Sequence, residues 1–325
     1  MKNRVLVTGA NGYVGNALIL SLLEKKSDFI VRASARRGSV LKSKELEVFK
    51  VGNLEDNPDY SKAFEGCDTV VDCAAMVSPR RNQGWIDQSA FRRVNVIGTA
   101  YMARQAHLAG VKRFIFLSST QANGETTPPY KKFFPNSLPR PKLAFGISML
   151  DAEKELKKIA KETGMEVVIV RIPTVYGPEC KGLVGVIRTM VRYCLPLPLR
   201  WANKNQRSLV AIDNLTDFLS LCIKNPKAAN QLFFVSDGKD LSTLEIFKLF
   251  ARTGSRPCCL WGFPVALLKL FNSYIGRQSW EDFFFGSMVV DTQKEKMELN
   301  WTPPVPIEEC FRRAWGKRKV LGGNL

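Results

Sequence analysis

The stretch Thr8-Gly9-Ala10-Asn11-Gly12-Tyr13-Val14-Gly15 decides the fold. Before it runs Arg4–Thr8 (RVLVT), short and apolar, the pattern of a buried strand. After it Val14, Leu18, Leu22 and Leu23 recur at helical spacing. The glycines fall as G-x-x-G-x-x-G. One permits a tight turn, one lets the backbone approach a pyrophosphate, and one lets helix and strand pack closely. The helix N-terminus then presents its N–H groups to the phosphates. A glycine triplet alone is weak evidence, but this one lies in the first strand–turn–helix of the chain, the context a dinucleotide site requires. Gly9, Asn11, Gly12, Tyr13, Val14 and Gly15 are therefore candidate cofactor contacts, against the alternative of an ordinary strand–helix turn.

Outward from the loop, strand patterns recur at Phe29–Ser34, Glu47–Val51, Thr69–Asp72, Arg113–Leu117 (RFIFL) and Val167–Arg171 (VVIVR). Helical patterns separate them, the longest at Ser89–Ala109 and Leu150–Lys161. Alternating β and α segments with fully apolar strands predict an α/β fold: a doubly wound parallel sheet of the Rossmann kind, covered on both faces. Beyond Tyr176 the pattern loosens and prolines cluster at Pro196, Pro198, Pro303, Pro304 and Pro306. The expected division is a dinucleotide-binding domain over residues 1–175 and a smaller substrate-binding domain over 176–325. Segments near 207–235 are expected to return to the first domain.

The length of 325 residues supports one large domain or two smaller ones with a sizeable core. Lys and Arg number 48 against 30 Asp and Glu, a net charge of +18. The basic residues are dispersed and no nucleic-acid motif accompanies them, so the charge is read as a solvated surface that steers an anionic ligand. The eight cysteines form no C-x-x-C pair, and His107 is the only histidine, so no zinc set is expected. Free thiols suit a reducing compartment, and no leader precedes the first strand pattern, so a cytoplasmic location is expected. The longest apolar run, Leu260–Phe271, is broken by Gly262, Pro264 and Lys269 and falls short of the ~20 residues of a membrane span. A peripheral membrane contact stays open as the alternative to a buried helix.

The end of the second strand chooses between cofactors. An acid there binds the ribose 2′-hydroxyl of NAD, whereas an arginine accommodates the 2′-phosphate of NADP. Here the run is Arg32-Ala33-Ser34-Ala35-Arg36-Arg37, without an acid. Arg36 and Arg37 favour NADP over NAD, since a guanidinium fork suits a phosphate.

Further motifs carry a resemblance. Gly52-Asn53-Leu54, Asp72-Cys73-Ala74-Ala75, Asn95-Val96-Ile97-Gly98-Thr99, Leu117-Ser118-Ser119 and Arg171-Ile172-Pro173-Thr174-Val175-Tyr176-Gly177-Pro178 resemble the extended short-chain dehydrogenase/reductase family. That family comprises nucleotide-sugar epimerases, dehydratases and ketoreductases, and the resemblance spans nearly the whole chain. It implies that Asn53 and Leu54 meet the adenine, and that Ala74, Ala75, Asn95, Ser118 and Pro173 lie along the cofactor. It also implies that Ser119 orients the substrate carbonyl, with Met76, Gln121 and Arg207 as further substrate contacts. Leu195–Leu199, Asn205–Val210 and Asp213-Asn214 look like UDP-N-acetylhexosamine 4-ketoreductases of the UDP-quinovosamine type, used in bacterial O-antigen synthesis. In that resemblance Arg207 contacts the nucleotide diphosphate. A homodimer through the two long helices is implied by the same analogy.

One pair departs from the family. Its Y-x-x-x-K motif supplies a tyrosine that moves the proton and a lysine that lowers the tyrosine's pKa and holds the nicotinamide ribose. The matching frame here is Phe145-Gly146-Ile147-Ser148-Met149, and none of the seven tyrosines has a lysine four residues later. Phe145 has no proton to give and Met149 no charge. The catalytic positions Ser119, Phe145 and Met149 therefore imply a UDP-sugar 4-ketoreductase in an inactivated form. Only functional atoms are lost while shape is kept, as deliberate inactivation would choose. A 4-epimerase and a natural non-catalytic NADP-binding protein are the alternatives.

Overall fold

The computed structural model describes residues 2–36, 43–77, 81–82, 85–86, 88–194, 203–257 and 285–317. In chain order they form β1 (Asn3–Val7), α1 (Tyr13–Glu24), β2 (Phe29–Ala35), β3 (Glu47–Lys50), α2 (Ser61–Phe64), β4 (Thr69–Asp72), β5 (Arg81–Asn82) and β6 (Trp85–Ile86). Next come α3 (Ser89–Phe91), α4 (Thr99–Leu108), β7 (Arg113–Ser119), α5 (Ala144–Thr163), β8 (Glu166–Ile172), β9 (Thr174–Tyr176) and α6 (Gly182–Arg192). β10 (Leu209–Ala211), α7 (Ile212–Lys224), β11 (Leu232–Phe234), α8 (Thr243–Thr253), α9 (Gln293–Leu299) and α10 (Ile307–Arg313) complete the set.

Seven strands form one sheet in the order β11-β8-β7-β4-β1-β2-β3, and every pairing within it is parallel. The order reverses beside β1, and the carboxyl ends of β1 and β4 flank that reversal, where open α/β sheets bind ligands. The expected parallel α/β sheet is thus the observed one. β7 carries an unbroken buried run from Arg113 to Ser118, as a strand covered on both faces should.

Apolar cores lie on the two faces of the sheet. One gathers α1 and α7 against Val5, Val7, Ile115 and Val168; the other gathers α4 and α5 against Leu6, Val70, Phe114 and Ile169. A third cluster joins Tyr176, α6, Leu209, α8 and α10. Successive residues of β1 and β7 feed opposite cores because side chains alternate across a strand.

The long helix expected at Ser89–Ala109 is continuous but not uniform. Between α3 and α4 the stretch Arg92–Gly98 is π-helical. A Cβ on Gly98 would lie 2.6 Å from the Leu54 carbonyl oxygen, so the helix rests directly on the turn at Asn53-Leu54. The apolar run Leu260–Phe271 lies outside the described residues, as do Leu195–Leu199.

Candidate functional site

The glycine loop leaves β1 and enters α1. Gly9 adopts φ +62°, and a Cβ there would lie 2.7 Å from the Cys73 carbonyl oxygen. On Gly15 it would lie 2.5 Å from the Gly9 carbonyl oxygen. Both glycines are therefore required by backbone packing. α1 begins without a side-chain cap and without an acidic residue in its first turn, so no carboxylate of that turn opposes an anion at its positive end. Beneath the loop the Thr8 hydroxyl donates to Asp72 Oδ1 (2.5 Å), and the Cys73 N–H donates to the Thr8 hydroxyl (3.2 Å). The Ala74 N–H also donates to Asp72 Oδ1 (3.1 Å). These bonds tie the loop to the end of β4, where Ala74 and Ala75 follow. Burial pushes the Asp72 carboxyl up to about 6.

At the end of β2 no acid is present. Arg36 is exposed there, while Arg32 is engaged by Glu47 (2.7 Å) and by the Glu65 carbonyl (2.6 Å). Arg37 lies outside the described residues. Asn53 donates to Asp56 (2.9 Å), fixing the turn that buries Leu54. The cradle at the glycines, the uncapped helix end and the missing acid fit a nicotinamide dinucleotide.

Ser119 ends β7, and its hydroxyl accepts the Gln121 N–H (3.1 Å). Gly146 is buried in the first turn of α5, where a Cβ would lie 2.5 Å from the Gln121 carbonyl oxygen. That approach sets the Ser119–Gln121 turn against the turn of α5 that begins at Phe145. Phe145 is half-buried with its ring 6.1 Å from Phe91. Met149, one turn later, is 1% exposed within the core beneath α4 and α5. Asn95 sits in the π-helical stretch. It accepts the Met76 N–H (2.8 Å) and donates to the Met76 carbonyl (3.0 Å) and the Ser148 hydroxyl (3.0 Å). Ser148 donates in turn to the Phe145 carbonyl (2.7 Å). Met76, Asn95 and the start of α5 are thus held together.

Sequence reasoning did not single out Glu153, which lies four residues after Met149. Glu153 receives Arg171 Nε (2.8 Å) and Nη2 (2.5 Å) together with the Ser118 hydroxyl (2.5 Å). Arg171 Nη1 donates to Asn123 Oδ1 (2.6 Å). The signal was an acid on the apolar face of α5 and an arginine closing the apolar strand VVIVR. Pro173 is buried just beyond that arginine.

Arg207 is half-buried, and its backbone pairs with Leu241 in both directions (2.9 Å each). It stands two residues before β10, which runs parallel to β9 with Leu209 opposite Thr174. That pairing begins two residues after Arg207 and one residue after Pro173. Among the described residues no group of His, Cys, Asp and Glu could hold a metal ion, and no helix is long and apolar enough to cross a membrane.

Residues 5–235 match the NAD dependent epimerase/dehydratase family, and the chain belongs to it. A UDP-glucose 4-epimerase of Vibrio cholerae is 38% identical over 313 residues, which cover 96% of this chain and 94% of that one. A dTDP-4-dehydro-6-deoxyglucose reductase of Escherichia coli is 20% identical, covering 95% of each chain. Among solved structures, a Thermotoga maritima UDP-glucose 4-epimerase with UDP-glucose superposes with a TM-score of 0.75 at 21% identity, covering 96% of this chain and 97% of that one. The Bordetella bronchiseptica enzyme WbmG, in complex with NAD and UDP, superposes with a TM-score of 0.73 at 20% identity, covering 97% and 94%.

Proposed function

We propose that this chain binds NAD(P) and a UDP-sugar at a C4 oxidoreductase site of the 4-ketoreductase type, whose proton-transfer pair is replaced by Phe145 and Met149. The observation that carries the reading is the packing of Gly146 on Gln121, which sets Ser119, Gln121 and Phe145 around one turn. When bound, the nicotinamide supplies the hydride chemistry. Ser119 orients the carbonyl, Arg207 holds the diphosphate by charge-assisted bonds, and Asn95 keeps Met76 and α5 in register. Phe145 delivers no proton, so turnover falls by the ~10²–10⁴-fold that a positioned general acid contributes.

The acid-free end of β2 and the exposed Arg36 support NADP as the preferred cofactor. A second reading, a 4-epimerase retaining NAD, is favoured by the 38% identical epimerase and by NAD in the WbmG complex. We likewise propose a two-domain division at residue 175 with returning segments near 207–235, and a homodimer, supported by Tyr101, Leu108 and Ile147, which leave apolar surface exposed on α4 and α5.

The test is cofactor oxidation with a UDP-4-keto-6-deoxy-N-acetylhexosamine, comparing this chain with Phe145→Tyr/Met149→Lys. Oxidation of NADPH by the restored protein alone is the expected result. Conversion of UDP-glucose to UDP-galactose by the restored protein, without net cofactor oxidation, selects the epimerase. Inactivity of the restored protein toward both substrates overturns the C4 reading.

A further inference from the structure

Tyr13 is the first residue of α1 and so belongs to the glycine loop, yet its side chain packs on the third apolar cluster, with Tyr176 and Leu209. Its hydroxyl donates to the carbonyl of Pro178 (3.1 Å), 165 residues along the chain. Gly177 shows how close the approach is. It adopts φ +154°, and a Cβ there would lie 2.8 Å from the Tyr13 hydroxyl and 2.6 Å from Ile212. Any side chain at position 177 would therefore push Tyr13 away from this turn.

The turn is joined to the region of Arg207. Gly177 and Pro178 follow β9 directly, and β9 pairs with β10 from Leu209↔Thr174 to Ala211↔Tyr176. Arg207 and Ser208 immediately precede β10, and the Asp237 N–H donates to the Leu209 carbonyl (2.8 Å). Tyr13 thus meets the carboxyl end of the β9–β10 pair, and Arg207 precedes its amino end, so the two are linked along the length of these strands.

We propose that Tyr13 is a positioning residue that couples occupancy of the glycine loop to the placement of Arg207, so that a nicotinamide dinucleotide and a UDP-sugar bind with positive cooperativity. The inference rests on the function proposed above. Phosphates seated at the start of α1 fix its first turn, and with it the Tyr13 ring. The ring fixes Gly177-Pro178, and β9 and β10 carry the constraint to Arg207. The ordering cost of the shared segment is then met by whichever ligand binds first. Linkage requires the effect to be equal in both directions.

Calorimetric titration of the intact chain with UDP, with and without saturating NADH or NADPH, reads the coupling. The expected tightening is about fivefold, the size of one net neutral hydrogen bond. The reverse titration should give the same factor. Tyr13→Phe should bring both factors close to one, and Gly177→Ala, which displaces the hydroxyl from the other side, should also lower them. A tyrosine that only filled space would alter the thermal midpoint and leave the ratio untouched. An unchanged ratio in Tyr13→Phe overturns the inference, as does wild-type protein that binds both ligands independently. Failure of the chain to bind either ligand overturns the proposed function as well.

Discussion

Replacing Glu153 by methionine should destabilise the protein more than any loss of apolar contact at that position would. The carboxylate and its guanidinium partner are 1% and 3% exposed at their side chains. Glu153 accepts two bonds from Arg171 and one from Ser118, and Arg171 donates one further bond, to Asn123. Methionine keeps the volume, but Arg171 is left as a buried cation holding only the Asn123 bond of this set. Breaking one partner of a buried pair costs about 3–5 kcal/mol. For 325 residues at ~2.1 cal/mol/K per residue, that corresponds to a fall of about 4–7 °C in Tm. Glu153→Met/Arg171→Met should recover most of the loss, because a well-packed apolar pair of similar volume is neutral or stabilising. Guanidinium unfolding curves for the two single variants and the double variant, with calorimetric Tm values, measure the cycle. A single-variant loss below about 1 kcal/mol, or a double variant as unstable as the sum of its singles, would refute the reasoning.

Gly15→Ala should weaken NADH binding at least about tenfold, since its Cβ would lie 2.5 Å from the Gly9 carbonyl oxygen and 3.0 Å from that of Thr8. Fluorescence titration checks this, and an affinity within twofold of the parent would contradict it. Glu295 is fully buried and accepts the Phe234 N–H (2.7 Å); burial pushes its carboxyl up to about 7 from an ordinary 4.5. Between those pH values the folded protein keeps a proton that the unfolded chain has lost, so stability falls as pH rises through the window, by up to about 3 kcal/mol. Urea midpoints at pH 5 and 7.5 should show the fall, and Glu295→Gln should reduce its slope. Equal slopes in the two proteins would assign the fall elsewhere, with Asp72 the next group to test.

The fold was legible because its strands are wholly apolar and its first turn is spelled by glycines. VVIVR and RFIFL read as buried strands without ambiguity, and β8 and β7 contain them with one or two extra residues at their ends. The short strands β9 and β10 were harder to see, because three residues carry too little periodicity to register. The π-helical turn around Asn95 has no periodic signature either. It arises where Gly98 must meet Leu54, a contact between segments more than forty positions apart. Among the proposed site residues, the glycine loop, Ser119 and the Phe145/Met149 frame stand out in the sequence because they are local motifs. Glu153 on α5 does not stand out, since its role depends on Ser118 and Arg171 arriving from β7 and β8. The sequence marks Tyr13 only as a candidate cofactor contact, and the structure shows its hydroxyl reaching Pro178.

The most direct test of the central claim is whether the unaltered chain binds its ligands without turning them over. Equilibrium titration with NADH, NADPH and UDP-glucose, followed by single-turnover mixing with a UDP-4-keto sugar, measures both on one sample. Saturable binding of a reduced cofactor and of UDP-glucose is expected, with hydride transfer at least about 100-fold slower than in Phe145→Tyr/Met149→Lys. Equal rates in the two proteins, or no binding of either ligand, would contradict it.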